Sequence, residues 1–446
     1  MDASHPLPLP PGPRPFSGFA EFRQDPPGHL ALLIRRYGDV VRWRGLMTIH
    51  VLNQPEDIKR VLAQAHPAFT KRTIDYRVLA QVMGNGLVSN DGPDWERQRK
   101  LIQPLFHARI VNAFDTSINA LTAALVARWE QAPPETVMLD HVLSKLTFEI
   151  VGATLFGTDI ERYADEVADI LEVVNLHTQD PRALLTLLPW LPTRHNRRFK
   201  VAKRRLDEIV HGLVDARRAS GPGKGDLLDR LIAARYDGNG TGMSDTQLRD
   251  ELVTLMLAGH ETSAMALVWT IHLLAQHPDC EAKLLDELDR ELGEKPATSA
   301  DLARLPYLKQ VVQESMRIYP PVWAIARRQT NEEVYGGYRV PAGAYLVIVP
   351  YALHRDPKHW PDPERFDPER FAPGREEARA PYTYLPFAAG PRTCIGMGMA
   401  MLETELVLAQ LLPRFRFRPM PGAEVVPVAR VTLKPRDGMA MRVERR

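Results

Sequence analysis

Apolar side chains recur at three- and four-residue spacing along most of the chain, and short alternating runs occupy only a few places. The longest helical pattern starts after Ser244, an N-cap residue type, and runs to about Gln276, with Leu252, Leu255, Met256, Gly259, Ser263 and Ala266 on one side. A second apolar helical run covers Met397–Leu412, and a third begins at Leu305–Leu308. Residues 16–36 read as an amphipathic helix, Pro55–Ala63 as another, and 71–88 as mixed, ending in the flexible turn Gly84–Asn–Gly86. Asp91–Asp94 caps a helix starting near Trp95. From Ile110 to Ala219 the period is helical, broken at Pro133–Pro134 and over Leu184–Pro192, with a clear loop at Asp237–Gly242. Strand patterns are short: Val40–Trp43 with Thr48–Leu52 as a hairpin, Val322–Ala326, Tyr338–Val340, Tyr345–Pro350, and Val431–Leu433 with Met439–Val443 as a final hairpin. The chain therefore reads as mainly α, with roughly a dozen helices and small β-sheets.

At 446 residues, a prior of about 150 per domain would suggest about three domains. The linkers such a division needs are missing, so the reading is a proline-rich arm over 1–15 and one domain over 16–446. Hydrophobic residues are 44% and charged residues 25%, enough to build a core. Lys+Arg total 57 and Asp+Glu 55, a net charge of +2 that gives no bulk attraction to nucleic acid. Two cysteines give no disulfide framework and suit a reducing cytoplasm, and Cys280 reads as an ordinary thiol. The N-terminus shows no apolar signal region, and no run of ~20 apolar residues marks a membrane span.

Four groups of residues stand out for their chemistry. Phe387–Ala–Ala–Gly390–Pro–Arg392–Thr–Cys394–Ile–Gly396 leads a lone thiol through a glycine-framed loop to a helix start, where backbone N–H groups favour a thiolate. Such a sulfur is a nucleophile, a metal ligand or a buried core cysteine. Trp95 and Arg99 share a helical face and are both N–H donors, suited to an anion or to a surface cation–aromatic pair. Gly259 in mid-helix costs roughly 1 kcal/mol against alanine, which makes sense if something flat lies on Ala258–Gly259. Glu261 follows, and Thr262 can bond the Ala258 carbonyl and loosen the turn, leaving room for water and dioxygen. Glu314 and Arg317 form an (i, i+3) pair, with Arg370 following in Pro–Glu–Arg–Phe371.

The cysteine loop closely resembles the haem-binding loop of the cytochrome P-450 family, with Ala388 where many members have glycine. Trp95-x-x-x-Arg99, Ala258–Gly259-x-Glu261–Thr262, Glu314-x-x-Arg317 and the later Arg370 resemble that family's other motifs, in its order. The resemblance implies the family's single mainly helical, triangular domain, with haem b (iron protoporphyrin IX) between the long distal helix and the cysteine-bearing helix. It implies Cys394 as the iron ligand, with Trp95, Arg99, Arg327 and Arg392 on the propionates. Phe387, Gly390, Gly396, Ala258 and Gly259 would lie against the haem, and Glu261 and Thr262 would deliver protons. Glu314, Arg317 and Arg370 would form a buried structural network. Val82, Leu87, Val88, Val322, Ala324, Ile325 and Leu433 would line an apolar substrate pocket, and the Leu184–Pro192 loop would be a lid. The proline arm is similar to the hinge after the anchor of eukaryotic members, here expected without an anchor, in a cytoplasmic monomer. The implied reaction is monooxygenation of a fatty acid, terpenoid or steroid-like molecule, with electrons from a ferredoxin or flavodoxin and its NAD(P)H-dependent reductase. Arg97 and Lys100 would meet that acidic partner. A peroxygenase, an isomerase or dehydratase, and a gas sensor are the rival readings, and the intact Glu261–Thr262 pair argues against the first two.

Overall fold

Proline and caps set many of the helix boundaries. Pro26 begins a helix whose first turn is capped by Asp25, which accepts from the Gly28 N–H at 3.0 Å. The single helix expected over 16–36 is therefore two, α1 (Phe19–Gln24) and α2 (Pro26–Tyr37). The computed structural model describes residues 7–446 apart from 65, 158–162, 164–165, 168, 171–172, 175–190, 222–224 and 237–239. The expected lid over 184–190 and the start of the 237–242 loop lie outside the described residues. Among the described residues, the remaining helices of six residues or more are α3 (Ile74–Met83), α4 (Gly92–Ile102), α5 (Asp115–Gln131), α6 (Leu139–Phe156), α7 (Arg194–Ser220), α8 (Leu227–Ala233), α9 (Asp245–Gln276), α10 (Pro278–Leu292), α11 (Pro306–Ile318) and α12 (Met397–Leu411). The strands are β1 (Val40–Arg44), β2 (Thr48–Leu52), β3 (Phe69–Thr70), β4 (Thr136–Met138), β5 (Ile325–Gln329), β6 (Glu333–Tyr335), β7 (Tyr338–Val340), β8 (Tyr345–Ile348), β9 (Phe415–Pro419), β10 (Pro427–Ala429), β11 (Leu433–Pro435) and β12 (Ala440–Arg445).

The backbone packs as two compact units. One comprises the residues up to Tyr76, Arg317–Arg365 and Pro373–Cys394. Its sheet has the order β1-β2-β8-β5-β3. β1 and β2 are the expected hairpin, pairing Val40 with Leu52 and Arg44 with Thr48, and β8 runs parallel to β2. Leu30, Leu33, Val41, Trp43, Val51 and Val347 form a core between α2 and this sheet. The proline arm is part of the unit. Pro11 accepts from the Arg42 N–H at 2.8 Å and Pro8 from the Arg339 N–H at 2.9 Å. The extended run expected over Val322–Ala326 becomes strand only at Ile325, because Ile325 is the first of its residues to pair with β8.

The other unit comprises Arg77–Met316, Phe366–Ala372 and Ile395–Arg446. α9 is its axis: Ser244 caps it as expected, accepting from the Gln247 N–H at 3.2 Å, and α6 and α12 pack along it. α9 is buried on nearly every side, as its apolar periphery requires. α4 begins at Gly92, three residues before Trp95, and the Asp91 side chain makes no capping bond. The C-terminal strands correct an expectation. Val431–Leu433 and Met439–Val443 do not pair with each other. β11 pairs with β10, while β12 lies between β4 and β9, and a hairpin signal in sequence carries no information about such distant partners. Two described helical stretches, Ala108–Gln131 and Asp245–Gln276, are long and apolar enough for a membrane span by length and composition alone. The second is the buried core helix α9, and a 3-10 turn over Asn112–Phe114 breaks the first.

Candidate functional site

Backbone geometry fixes the cysteine loop. Gly390 has φ +71°, and a Cβ there would lie 2.1 Å from the Leu62 carbonyl oxygen, so only glycine fits. The 3-10 turn Gly390–Arg392 follows, closed by the Thr393 hydroxyl, which donates to the Gly390 carbonyl at 2.7 Å. The Cys394 N–H donates to Phe387 O at 2.9 Å, drawing both ends of the motif together. The Cys394 residue itself is exposed, two positions before Gly396, the N-cap of α12. Gly396 has φ −88°, open to any residue, whereas Ala388 sits at φ +58°, in the left-handed region where its Cβ is strained. Arg327, on β5, is buried and donates to the Tyr76 hydroxyl at 3.3 Å and the Ala326 carbonyl at 2.8 Å. Arg392 and Phe387 are half-buried.

In the other unit the middle of α9 carries an unusual face. Leu255, Leu257, Ala258, Gly259 and Thr262 are partly exposed, while Glu251–Thr254, Met256, His260, Glu261 and Ser263 are buried. Leu255, Ala258, Gly259 and Thr262 fall at steps of three, one and three, one stripe of the helix, with Leu257 off it. Thr262 Oγ1 donates to Ala258 O at 2.7 Å, the back-bond expected from the spacing. Gly259 has a packing reason as well, since a Cβ there would stand 3.2 Å from Val151 of α6. The Glu261 carboxylate accepts from Thr432 Oγ1 at 2.8 Å and pairs with Lys434 Nζ at 2.6 Å. Burial, the largest single influence, opposes its ionisation, but the charge and hydrogen bond of Lys434 together with His260 and the Thr432 hydroxyl hold the carboxyl below its ordinary range. Trp95 is buried on α4; Arg99, one turn on, is half-buried and donates from Nε to Gln103 at 3.1 Å.

Of the expected structural network, Glu314 and Arg317 are buried and Arg370 is half-buried. Glu314 is buried, lies 3.3 Å from Arg370 Nε and accepts from the Asp367 N–H at 2.8 Å. Arg317, also buried, donates to the carbonyls of His354 (2.8 Å), Pro363 (2.7 Å) and Arg365 (3.1 Å) and stacks over Trp360. Of the pocket candidates, Val82 and Leu87 are buried in the cluster around Trp95, Phe148, Val151 and Met256, and Leu433 is buried with its carbonyl bonded to Trp269 Nε1 at 2.9 Å. Val88 and Ala324 are half-buried, Ile325 is core, and Val322 is exposed. Arg97 packs over the Tyr236 ring and pairs with Asp94 at 3.3 Å, whereas Lys100 is exposed. Lys434, Thr432 and Tyr76 carried no sequence signal, because each meets its partner from far along the chain. Glu403 is another: fully buried on α12, its carboxyl is pushed up to about 8 by burial, against the opposing hydrogen bond of Ser263.

Comparison with known proteins identifies the class. The cytochrome P450 family model matches residues 8–440. Cyclooctatin synthase of Streptomyces melanosporofaciens is 35% identical over 430 residues, 95% of this chain and 92% of that protein. Pentalenene oxygenase of Streptomyces avermitilis is 32% identical, with 95% of this chain and 94% of that protein covered. The crystal structure of the cytochrome P450DA heme domain has a TM-score of 0.88 at 25% identity, with 99% of this chain and 98% of that chain covered. The chain therefore belongs to the cytochrome P450 family, the haem-thiolate monooxygenases. It is an oxidoreductase that carries haem b, draws electrons from a redox partner and inserts one atom of dioxygen into an apolar substrate. The chemistry present in each unit suits that cofactor: in one, an exposed thiol on a loop only glycine can make; in the other, the small residues Ala258 and Gly259 partly exposed on an otherwise buried helix.

Proposed function

We propose that the protein hydroxylates a cyclic terpenoid-like hydrocarbon, using a ferredoxin or flavodoxin and its NAD(P)H-dependent reductase as the electron source. The observation that carries the substrate class is the exposed stripe of α9, where Leu255, Ala258, Gly259 and Thr262 present no charge. A fatty-acid carboxylate would need a cation, and this face offers none. Three relatives, named cyclooctatin synthase, cyclooctat-9-en-7-ol 5-monooxygenase and pentalenene oxygenase, support the same class.

In this reading residues 16–446 form one catalytic domain of a cytoplasmic monomer. Cys394 would supply the thiolate that holds the haem iron; Trp95, Arg99, Arg327 and Arg392 would neutralise the propionates; and Phe387, Gly390, Gly396, Ala258 and Gly259 would let the haem come close. Bound haem supplies the redox chemistry that activates dioxygen. The chain's residues supply protons and exclude bulk water. Thr262 donates its hydroxyl hydrogen bond to the Ala258 carbonyl, so its lone pairs remain to accept from a water on the exposed stripe. Glu261, kept ionised by Lys434, takes a proton from solvent and returns it inward. Glu314, Arg317 and Arg370 act structurally. Val82, Leu87, Val88, Val322, Ala324, Ile325 and Leu433 would contribute the apolar lining.

The test is a spin-state titration of the ferric holoprotein, in which a ligand displacing iron-bound water changes the haem spectrum. Pentalenene and cyclooctat-9-en-7-ol are expected to shift the spectrum at lower concentration than palmitate. Preference for palmitate would contradict the substrate class.

A further inference from the structure

Residues 84–87 are seated directly on the first turns of α9. The Asn85 N–H donates to Asp250 Oδ2 at 2.8 Å, and the Leu87 N–H donates to Glu251 Oε2 at 3.0 Å. Gly84 has φ +58°, and a Cβ there would meet the Asp250 carboxylate at 2.1 Å. A Cβ on Gly86 would meet Thr254 Oγ1 at 2.0 Å and the Asp250 carbonyl at 2.7 Å. Both glycines of the turn are thus required by the approach of one backbone to one helix face. The loop is closed on itself as well, since Ser89 Oγ donates to the Gly84 carbonyl at 2.6 Å and the Asn90 N–H to the Gly86 carbonyl at 2.9 Å.

The two acceptors are anchored from behind. Asp250 is paired with Arg249 at 2.8 Å, and Arg249 reaches across from its Nε to Asp207 of α7 at 2.7 Å. Glu251 is fully buried, and the Gln98 side-chain amide, its nitrogen turned inward, lies 3.1 Å from Glu251 Oε1. Gln98 is on α4, the helix of Trp95. Two adjacent carboxyls therefore hold two alternate amides of one loop; the Asn85 bond is part-buried, whereas the Leu87 bond is buried and its loss strands a polar group.

Position matters as much as strength. Glu251 precedes Leu255, Ala258 and Thr262 by four, seven and eleven residues, so it lies on the helix face that becomes the exposed stripe. Loop 84–88, with Leu87 and Val88, crosses that face at the N-terminal end of the stripe. We propose that Asp250 and Glu251 are positioning residues that hold this loop as a fixed end wall across α9, and that the wall selects compact substrates over long flexible ones. This rests on the reading that substrate lies along the stripe.

Two experiments test it. In the spin-state titration, Glu251→Leu removes the acceptor for Leu87, while Glu251→Gln keeps one through its amide oxygen. The preference for pentalenene over palmitate is expected to fall about tenfold in Glu251→Leu, the cost of one lost buried hydrogen bond, and to be largely restored in Glu251→Gln. A lower melting temperature with an unchanged preference would overturn the proposal, leaving only a structural role. Hydrogen exchange on the unaltered holoprotein covers the case in which Glu251→Leu does not fold. The Asn85 and Leu87 amides should be protected like those of the α9 core; exchange at the rate of an open loop would overturn the wall. If neither ligand shifts the unaltered protein, the substrate reading fails, and exchange still decides the clasp.

Discussion

Ala388 and Gly390 occupy left-handed backbone two residues apart, at φ +58° and +71°. Glycine does this without cost, whereas an L side chain there is strained by roughly 1–2 kcal/mol. The motif alone shows Ala388 as a small-for-small exchange; its dihedral shows a strained one. Ala388→Gly should therefore raise stability by about 1 kcal/mol, less whatever glycine costs in unfolded-chain entropy; denaturant unfolding of the holoprotein measures it, and a loss would show that the loop relies on the Ala388 methyl for packing. The Thr262–Ala258 bond was legible from spacing, because it is local to one helix. The partners of Glu261 were not: Thr432 and Lys434 lie more than 170 residues on, and nothing in the short Val431–Leu433 pattern marks them as hydrogen-bonding or charge partners.

The helices were the most legible elements. α9 was read with both ends correct, since a capping serine and a long apolar period are local signals. The break before Pro26 and the true pairing of β11 and β12 were missed. The first needed the rule that proline starts a helix, and the second needed long-range register. The β10–β11 hairpin also carries the ion-pair partner of Glu261, so Lys434→Met should leave that buried carboxylate with the Thr432 hydroxyl and His260. The expected cost is about 1–3 kcal/mol where Glu261 is ionised, and less where it is protonated. Unfolding should thus show a greater deficit at pH 8 than at pH 5. An equal deficit at both would mean that the lysine contributes by packing rather than by charge.

Across the whole molecule a near-neutral balance of +2 hides several buried ionisable groups. Burial raises Glu251 and Glu403 to about 8, and it lowers His50 and His272 to about 4. For the two glutamates the folded state binds protons more tightly than the unfolded one. Their contribution is complete below the unfolded value of about 4.5 and is lost as pH rises toward 8. For the histidines the fold rejects the proton, so their contribution is complete above about 6.5 and is lost as pH falls toward 4. Stability should therefore decline from pH 6.5 to 8.5, and Glu403→Gln should flatten part of that decline in denaturant unfolding. An unchanged slope would remove Glu403 as its source. Fold class was legible because helical period dominates the chain. The ordering of the site motifs was legible through family resemblance, while buried charges such as Glu403 carry no mark in sequence beyond a lone acid in an apolar helix.

The central claim is that the Cys394 sulfur is the haem ligand. The carbon monoxide difference spectrum of the ferrous holoprotein tests it most directly, compared between the unaltered chain and Cys394→Ser. The red-shifted band of a thiolate-bound carbonyl haem should be present in the first and absent in the second, with monooxygenase turnover lost. The same band in Cys394→Ser would contradict the assignment and the roles built on it.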